Sequence, residues 1–141
     1  MGLDMYLTKE LYVSRENRKN IAVAIDGVRA DRIVGIVEEA ITWRKTNAIH
    51  RWFVENVQDG RDDCHKYFVS IPQLKILLDT IEEVLQDKDK ADVLLPTQPG
   101  FFFGDTEYDE SYFDDLQTTK EALEEIMKSE GAADFYYQAS W

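Results

Sequence analysis

Cysteine occurs once, at Cys64, so no intramolecular disulfide can form and nothing in the chain asks for an oxidising compartment. No apolar run approaches the roughly 20 residues that a membrane-spanning helix requires, so no membrane association is expected. Positive charge is scarce: 16 Lys and Arg face 28 Asp and Glu, a formal net charge of −12. That balance excludes a basic nucleic-acid-binding domain as a description of the whole chain and disfavours direct nucleic-acid binding. The sequence contains no P-loop, no G-x-G-x-x-G and no G-x-S-x-G, so no phosphate cradle or nucleophile elbow announces an enzyme class. The start carries Asp4 where a secretory signal needs positive charge, and Tyr6 where myristoylation needs Ser or Thr. A cytoplasmic protein with no implied cofactor is the expectation.

What is present is apolar bulk. In 141 residues, 44% are hydrophobic and 17 are aromatic, enough for a sizeable core and too much for intrinsic disorder. The length fits one domain. The charge is polarised: residues 1–58 carry nine bases and eight acids, whereas residues 105–130 carry two bases and ten acids. Two thirds of the net charge therefore falls within 26 residues.

The hydrophobic pattern predicts a chain of alternating type. Leu3, Met5 and Leu7 alternate with Asp4, Tyr6 and Thr8, as in a half-buried strand reaching Tyr12 or Val13. Asp26-Gly27 between Ile21–Ile25 and Val28 predicts a hairpin turn. Residues 33–43 fit either period; a strand to Val37 and a helix from near Ala40 to Val57 is the reading adopted. Tyr67–Val69 is β-prone, and Ser70 with Gln73 and Pro72 forms a capping box opening a helix through Leu85. Residues 87–92 read as a solvated break and 93–104 as an ordered loop. A last helix spans Glu110 to Lys128, and Phe135-Tyr136-Tyr137 is a final strand, with residues 134–139 proposed to pair with 3–8. These segments predict an α+β fold, a single domain over residues 1–141 with three helices packed on a mainly antiparallel sheet.

Two groups of residues carry chemical interest. On a helix, Trp43, Asn47, His50 and Arg51 form one stripe with Arg44 beside it, facing away from Ile41, Ala48 and Trp52. Planar, cationic and amide groups together suit a small anionic or nucleotide-like ligand, and Phe102 of the Gly100–Gly104 loop offers an aromatic surface to the same ligand. The alternative is a solvated face ion-paired with the acidic C-terminal helix. The second group is the acidic block of Asp105, Glu107, Asp109, Glu110, Asp114 and Asp115, which contains no base. Such a block is either a solvated helix start, where acids favour the dipole, or a surface that steers a basic partner protein.

Metal and catalytic patterns are weak. Alignments of Asp59–Asp63 or Asp105–Asp109 to a calcium loop place Val57, Lys66, Glu110 or Leu116 at positions that need ligands or glycine. Cys64, His65 and His50 lack the paired spacing of a zinc site, so no metal is expected. A small hydrolase or transferase using His50 with an acid such as Asp4 is the enzymatic alternative.

Several strings together point to relatives: Gly2-Leu3-Asp4-Met5-Tyr6-Leu7, the Trp43–Val54 segment, Asn56-Val57-Gln58-Asp59-Gly60, Leu94-Leu95-Pro96-Thr97 with Gly100-Phe101-Phe102-Phe103-Gly104, and Tyr137-Gln138-Ala139-Ser140-Trp141. With these strings the chain resembles a family of small proteins carried by bacteriophages and prophages. The resemblance covers most of the sequence, except roughly residues 14–40 and 86–93. It brings no activity, fold or catalytic residue with it. It implies a bacterial cytoplasmic setting, and a protein that binds and modulates or inhibits a host protein, including those of defence systems.

Overall fold

The computed structural model describes residues 2–129 and 131–141. Four strands, β1 (Asp4–Tyr12), β2 (Gly35–Arg44), β3 (Tyr67–Val69) and β4 (Asp134–Ser140), form one antiparallel sheet in the order β2-β1-β4-β3. The helices are α1 (Asn47–Asn56), α2 (Ile71–Gln86), the single turn α3 (Ala91–Leu94) and α4 (Glu110–Lys128). The architecture is α+β as expected, with four helices rather than three because Ala91–Leu94, at the junction of the expected break and loop, coil into α3.

Strand β1 sits centrally because its alternation is clean. Leu3, Met5 and Leu7 are fully buried beneath the helices while Asp4 and Tyr6 lie on the other face. The expected pairing of the two chain ends is present: Asp4 faces Ser140 and Glu10 faces Asp134 in antiparallel register. Strand β4 repeats the pattern, burying Phe135, Tyr137 and Ala139. The sheet and α1, α2 and α4 enclose one core, in which Leu74, Leu77 and Ile81 of α2 meet Leu116 and Leu123 of α4. The capping box is formed: Ser70 Oγ accepts from the Gln73 amide, and the Gln73 side chain accepts from the Ser70 amide.

Two local expectations are corrected. Residues 35–44 are strand throughout, and the helix begins at Asn47 rather than near Ala40. Ile41 and Trp43 point inward while Thr42 and Arg44 point outward, a period of two that pairing with β1 selects over the helical reading. A bulge at Ala40 then breaks the register: Leu7 faces Ile41, but Thr8 faces Glu39. Beyond it Val37 and Tyr12 are exposed. The Asp26-Gly27 turn exists, with the Val28 amide donating to the Ile25 carbonyl and Gly27 at φ +82°, yet no strands flank it. Without a sheet edge or core surface beneath them, residues 21–25 have nothing to select strand pairing.

Candidate functional site

Strand β2 turns into α1 through Lys45, whose φ of +55° is the left-handed region that ends the strand abruptly. Gly104, itself at φ +82°, packs against the Lys45 side chain so closely that an added Cβ would lie 3.2 Å from it. The loop of residues 95–105 is then stitched to α1 by one side chain. Asn47 Nδ2 donates to the carbonyls of Phe103 and Asp105, both at 2.9 Å, and its Oδ1 accepts from the Gln98 amide at 2.9 Å. Gly100 serves the same loop: a Cβ there would lie 2.7 Å from the Phe103 ring. Phe103 is consequently buried, Phe102 is half-buried against the core, and Phe101 is left 94% exposed at the tip.

The proposed cationic stripe is therefore not one outward face. Trp43 belongs to β2 and is buried, its indole N–H donating to Thr119 Oγ1 of α4 at 2.8 Å. Arg44 pairs with Asp4 at 3.1 Å. Asn47 is buried in the bonds just described. Arg51 donates to Glu55 and to the Thr97 carbonyl. Asn47, His50 and Arg51 still share one side of α1, but that side is not free: Asn47, Ala48, Ile49 and His50 are all buried, so the first turn of the helix is covered all round. The alternative of ion pairing with the acidic helix is not found either: among the described residues no ion pair joins residues 43–51 to residues 105–115.

His50 is 1% exposed and both its ring nitrogens are engaged. Nδ1 lies 2.7 Å from the Tyr137 hydroxyl and Nε2 lies 3.0 Å from Asp62 Oδ1, which also accepts from the Trp141 indole. The acid beside His50 is thus Asp62, not Asp4. Burial lowers the His50 pKa, and the neighbouring Asp62 carboxylate only partly offsets this. Burial likewise holds Tyr137 well above the ordinary phenol value, so its hydroxyl is a donor. A neutral imidazole with its proton on Nε2 satisfies all three groups. Both ring nitrogens of His50 are thus engaged within the cluster, which ties α1 to β4 and to the loop that carries Asp62. Sequence reasoning missed Asp62 and Tyr137 as partners, since they lie 12 and 87 residues from His50. The alternation of β4 signals the burial of Tyr137 but not whom it meets.

The acidic block lies across from the start of α1. Asp109 caps α4 by accepting from the Tyr112 amide, and Asp105 Oδ1 accepts from the Glu107 amide. Asp115 accepts from Thr46 Oγ1. Glu107, Glu110 and Asp114 have no side-chain partner among the described residues. Arg44, Lys45, Thr46 and Asn47 on one wall and Asp105, Glu107, Asp109 and Asp115 on the other enclose a cleft of about 170 Å³. That is below the roughly 300 Å³ at which small-molecule sites begin, and matches a single inserted side chain better than a nucleotide.

Asp115 is half-buried in this cleft, and its pKa is raised, first by burial, with Asp114 and Asp109 adding to the effect and Thr46 opposing it. A folded-state pKa raised above the unfolded value means that ionisation destabilises the fold once pH exceeds the unfolded value, about 3.9. Asp115→Asn is therefore expected to raise the thermal midpoint at pH 7 and leave it unchanged near pH 3, where both side chains are neutral. Calorimetry at the two pH values checks this; a gain of equal size at both would contradict the electrostatic cause.

Among the described residues, no three His, Cys, Asp or Glu side chains gather as a metal-holding group, and no helix is long and apolar enough to cross a membrane. Comparison with known proteins adds no relative: no family model, curated protein or solved structure matches this chain.

Proposed function

We propose that this chain is a non-enzymatic binding protein whose acidic face, from Asp105 to Asp115, engages a basic surface of another protein. The observation that carries the reading is that none of the six carboxylates is ion-paired with Lys or Arg among the described residues. Acids that merely solvate a helix are commonly laced with i,i+4 cations, as Lys120 and Glu124 are further along α4. Away from the cleft wall that carries Arg44 and Lys45, acids in excess attract and orient an oppositely charged partner instead. Phe101, almost fully exposed on the loop leading into this face, supplies an aromatic anchor of the kind that interfaces concentrate. The cleft at the start of α1 has room for one basic side chain of the partner. With the phage resemblance, the partner is a host protein met in the bacterial cytoplasm, and the effect of binding is to modulate or inhibit it.

The test replaces the three acids that make no internal side-chain bond, in the triple variant Glu107→Lys, Glu110→Lys, Asp114→Lys. Immobilised wild-type protein is expected to capture a basic host protein from bacterial lysate, with the association rate falling about tenfold or more in the variant at low salt. The difference should shrink at high salt, where charges beyond a Debye length of a few ångströms no longer interact. Capture that survives both the triple reversal and Phe101→Ala sinks the proposal.

A further inference from the structure

Between β1 and β2 the chain makes an excursion, residues 14–34, that contributes no buried side chain to the core. It is closed at its base by the Val13 amide donating to the Val34 carbonyl at 3.0 Å. Its charge is opposite to that of the rest of the molecule: Arg15, Arg18, Lys19, Arg29 and Arg32 outnumber Glu16, Asp26 and Asp31 in a chain of net charge −12. The two limbs of the excursion enclose an open cavity of about 740 Å³, lined by Arg15, Arg18, Lys19 and Ile21 from one limb and Arg29 and Asp31 from the other.

The bonds within this cavity leave a clear surplus. Arg29 grips Asp31 in a two-pronged pair at 3.1 and 2.9 Å, which neutralises both. Arg18 Nη1 donates to the Asp31 carbonyl at 3.2 Å and so ties the limbs together, but its Nε is enclosed without a partner among the described residues. Arg15 and Lys19 are in no ion pair among the described residues. Arg15, Arg18 and Lys19 thus line one concavity outside any ion pair among the described residues, Asp31 being taken up by Arg29, and an anion from outside would offset their charges.

We propose that this cavity is a binding site for a compact polyphosphate anion, held by Arg15, Arg18 and Lys19. A single carboxylate would offset one of the three charges, whereas linked phosphates deliver several within the same small volume. Guanidinium donors match phosphate oxygens in pairs, and Arg18 and Arg15 both line the cavity. The cavity volume lies within the range that small-ligand sites occupy. A concave site favours a small anion over the other anionic surface available to it, the convex acidic helix of a second copy. The inference does not depend on the acidic face binding a partner, and either can fail alone.

Calorimetric titration of the full chain with inorganic triphosphate at low salt tests it. One-to-one binding is expected, weaker for inorganic phosphate, and reduced at least about tenfold in Arg18→Gln and in the double variant Arg15→Gln, Lys19→Gln. Hydrogen exchange in residues 14–34 should slow when triphosphate is added, because the anion bridges the limbs. The variants should keep the wild-type thermal midpoint, since no core side chain is touched; if Arg18→Gln does not, the double variant, which breaks no bond of the fold, decides the matter. Absence of binding at millimolar triphosphate, or equal binding by wild type and double variant, would overturn the site. So would tighter binding of a single-stranded oligonucleotide that the substitutions leave intact, or protection of the excursion produced by raising protein concentration alone.

Discussion

Phe53→Ala is expected to lower the free energy of unfolding by about 3–5 kcal/mol, the range for removing a large buried aromatic ring. Phe53 is fully buried on α1 and stacks on Tyr137 of β4, with ring centroids 3.9 Å apart and planes within 6°. Trp43 of β2 and Trp52 of α1 close on the same ring edge-on at 5.9 and 5.2 Å. The ring therefore joins a helix to both the edge and the interior of the sheet. Its removal leaves a cavity bounded by rigid aromatic walls that cannot collapse to fill it, which places the cost toward the upper end. Against a total stability of about 5–15 kcal/mol for a domain, the loss is a large fraction. Urea denaturation at pH 7 measures it. Phe68→Ala is the contrasting case: Phe68 is 55% exposed on β3, and its loss should cost less than about 1 kcal/mol. Similar costs for the two substitutions would refute the assignment of the core.

Tyr137→Phe keeps the ring stacking and deletes one oxygen, so its effect isolates the buried polar network. His50 Nδ1 then faces a hydrocarbon edge in place of the hydroxyl 2.7 Å away. A buried acceptor left without its donor costs about 1–3 kcal/mol. The network also determines a pH dependence. Burial lowers the folded-state pKa of His50 below the unfolded value of about 6.5. Below pH 6.5 the unfolded chain takes up a proton that the folded chain refuses, so stability is whole above that pH and declines as pH falls toward the folded value. His50→Gln should flatten this decline between pH 7 and 5 while lowering stability at pH 7. Nitrogen NMR of the imidazole should report the neutral ring protonated on Nε2 at pH 7. A ring charged at pH 7, or an unperturbed denaturation midpoint in Tyr137→Phe, would rule out the network as drawn.

The enzymatic and ligand-binding expectations for residues 43–51 assume a helix running from near Ala40 with one side open to solvent; the strand takes Trp43 and Arg44 out of that helix, and packing covers Asn47 and His50 within it. Trp43 and Arg44, placed on β2 instead, point to opposite faces of the sheet. Asn47 and His50, placed in the first turn of α1, point under the loop and toward β4, where their polar atoms are taken up by backbone groups, Tyr137 and Asp62. The acids of residues 105–115 needed no particular side, because an uninterrupted run of one charge remains acidic whichever way the helix is turned. That is why the acidic face survives the passage from sequence to structure as a surface, and the cationic stripe does not.

The sequence by itself determined the elements whose signals are local: the alternation of Leu3, Met5 and Leu7, the Ser70–Gln73 capping box, the helix from Glu110 to Lys128, and the uneven distribution of charge. Each depends on residues within one or two turns of each other, where propensity and periodicity act directly. Tertiary structure alone decided that the strand continues from Val37 to Arg44, a stretch of ambiguous period that pairing with β1 holds extended. It also decided the burial of His50 between Tyr137 and Asp62, and the isolation of the basic excursion from the core. The scarcities noted at the outset, of cysteine, of basic residues and of recognisable motifs, take their meaning from this arrangement. With no ligand motif to read, what distinguishes the chain is where its charges end up: acids on α4 and the loop before it, cations around the cavity of residues 14–34. The acids are legible in the sequence as a run of one charge, whereas the cavity that Arg15, Arg18 and Lys19 share with Arg29 and Asp31 is formed only when the two limbs of the excursion fold back on each other.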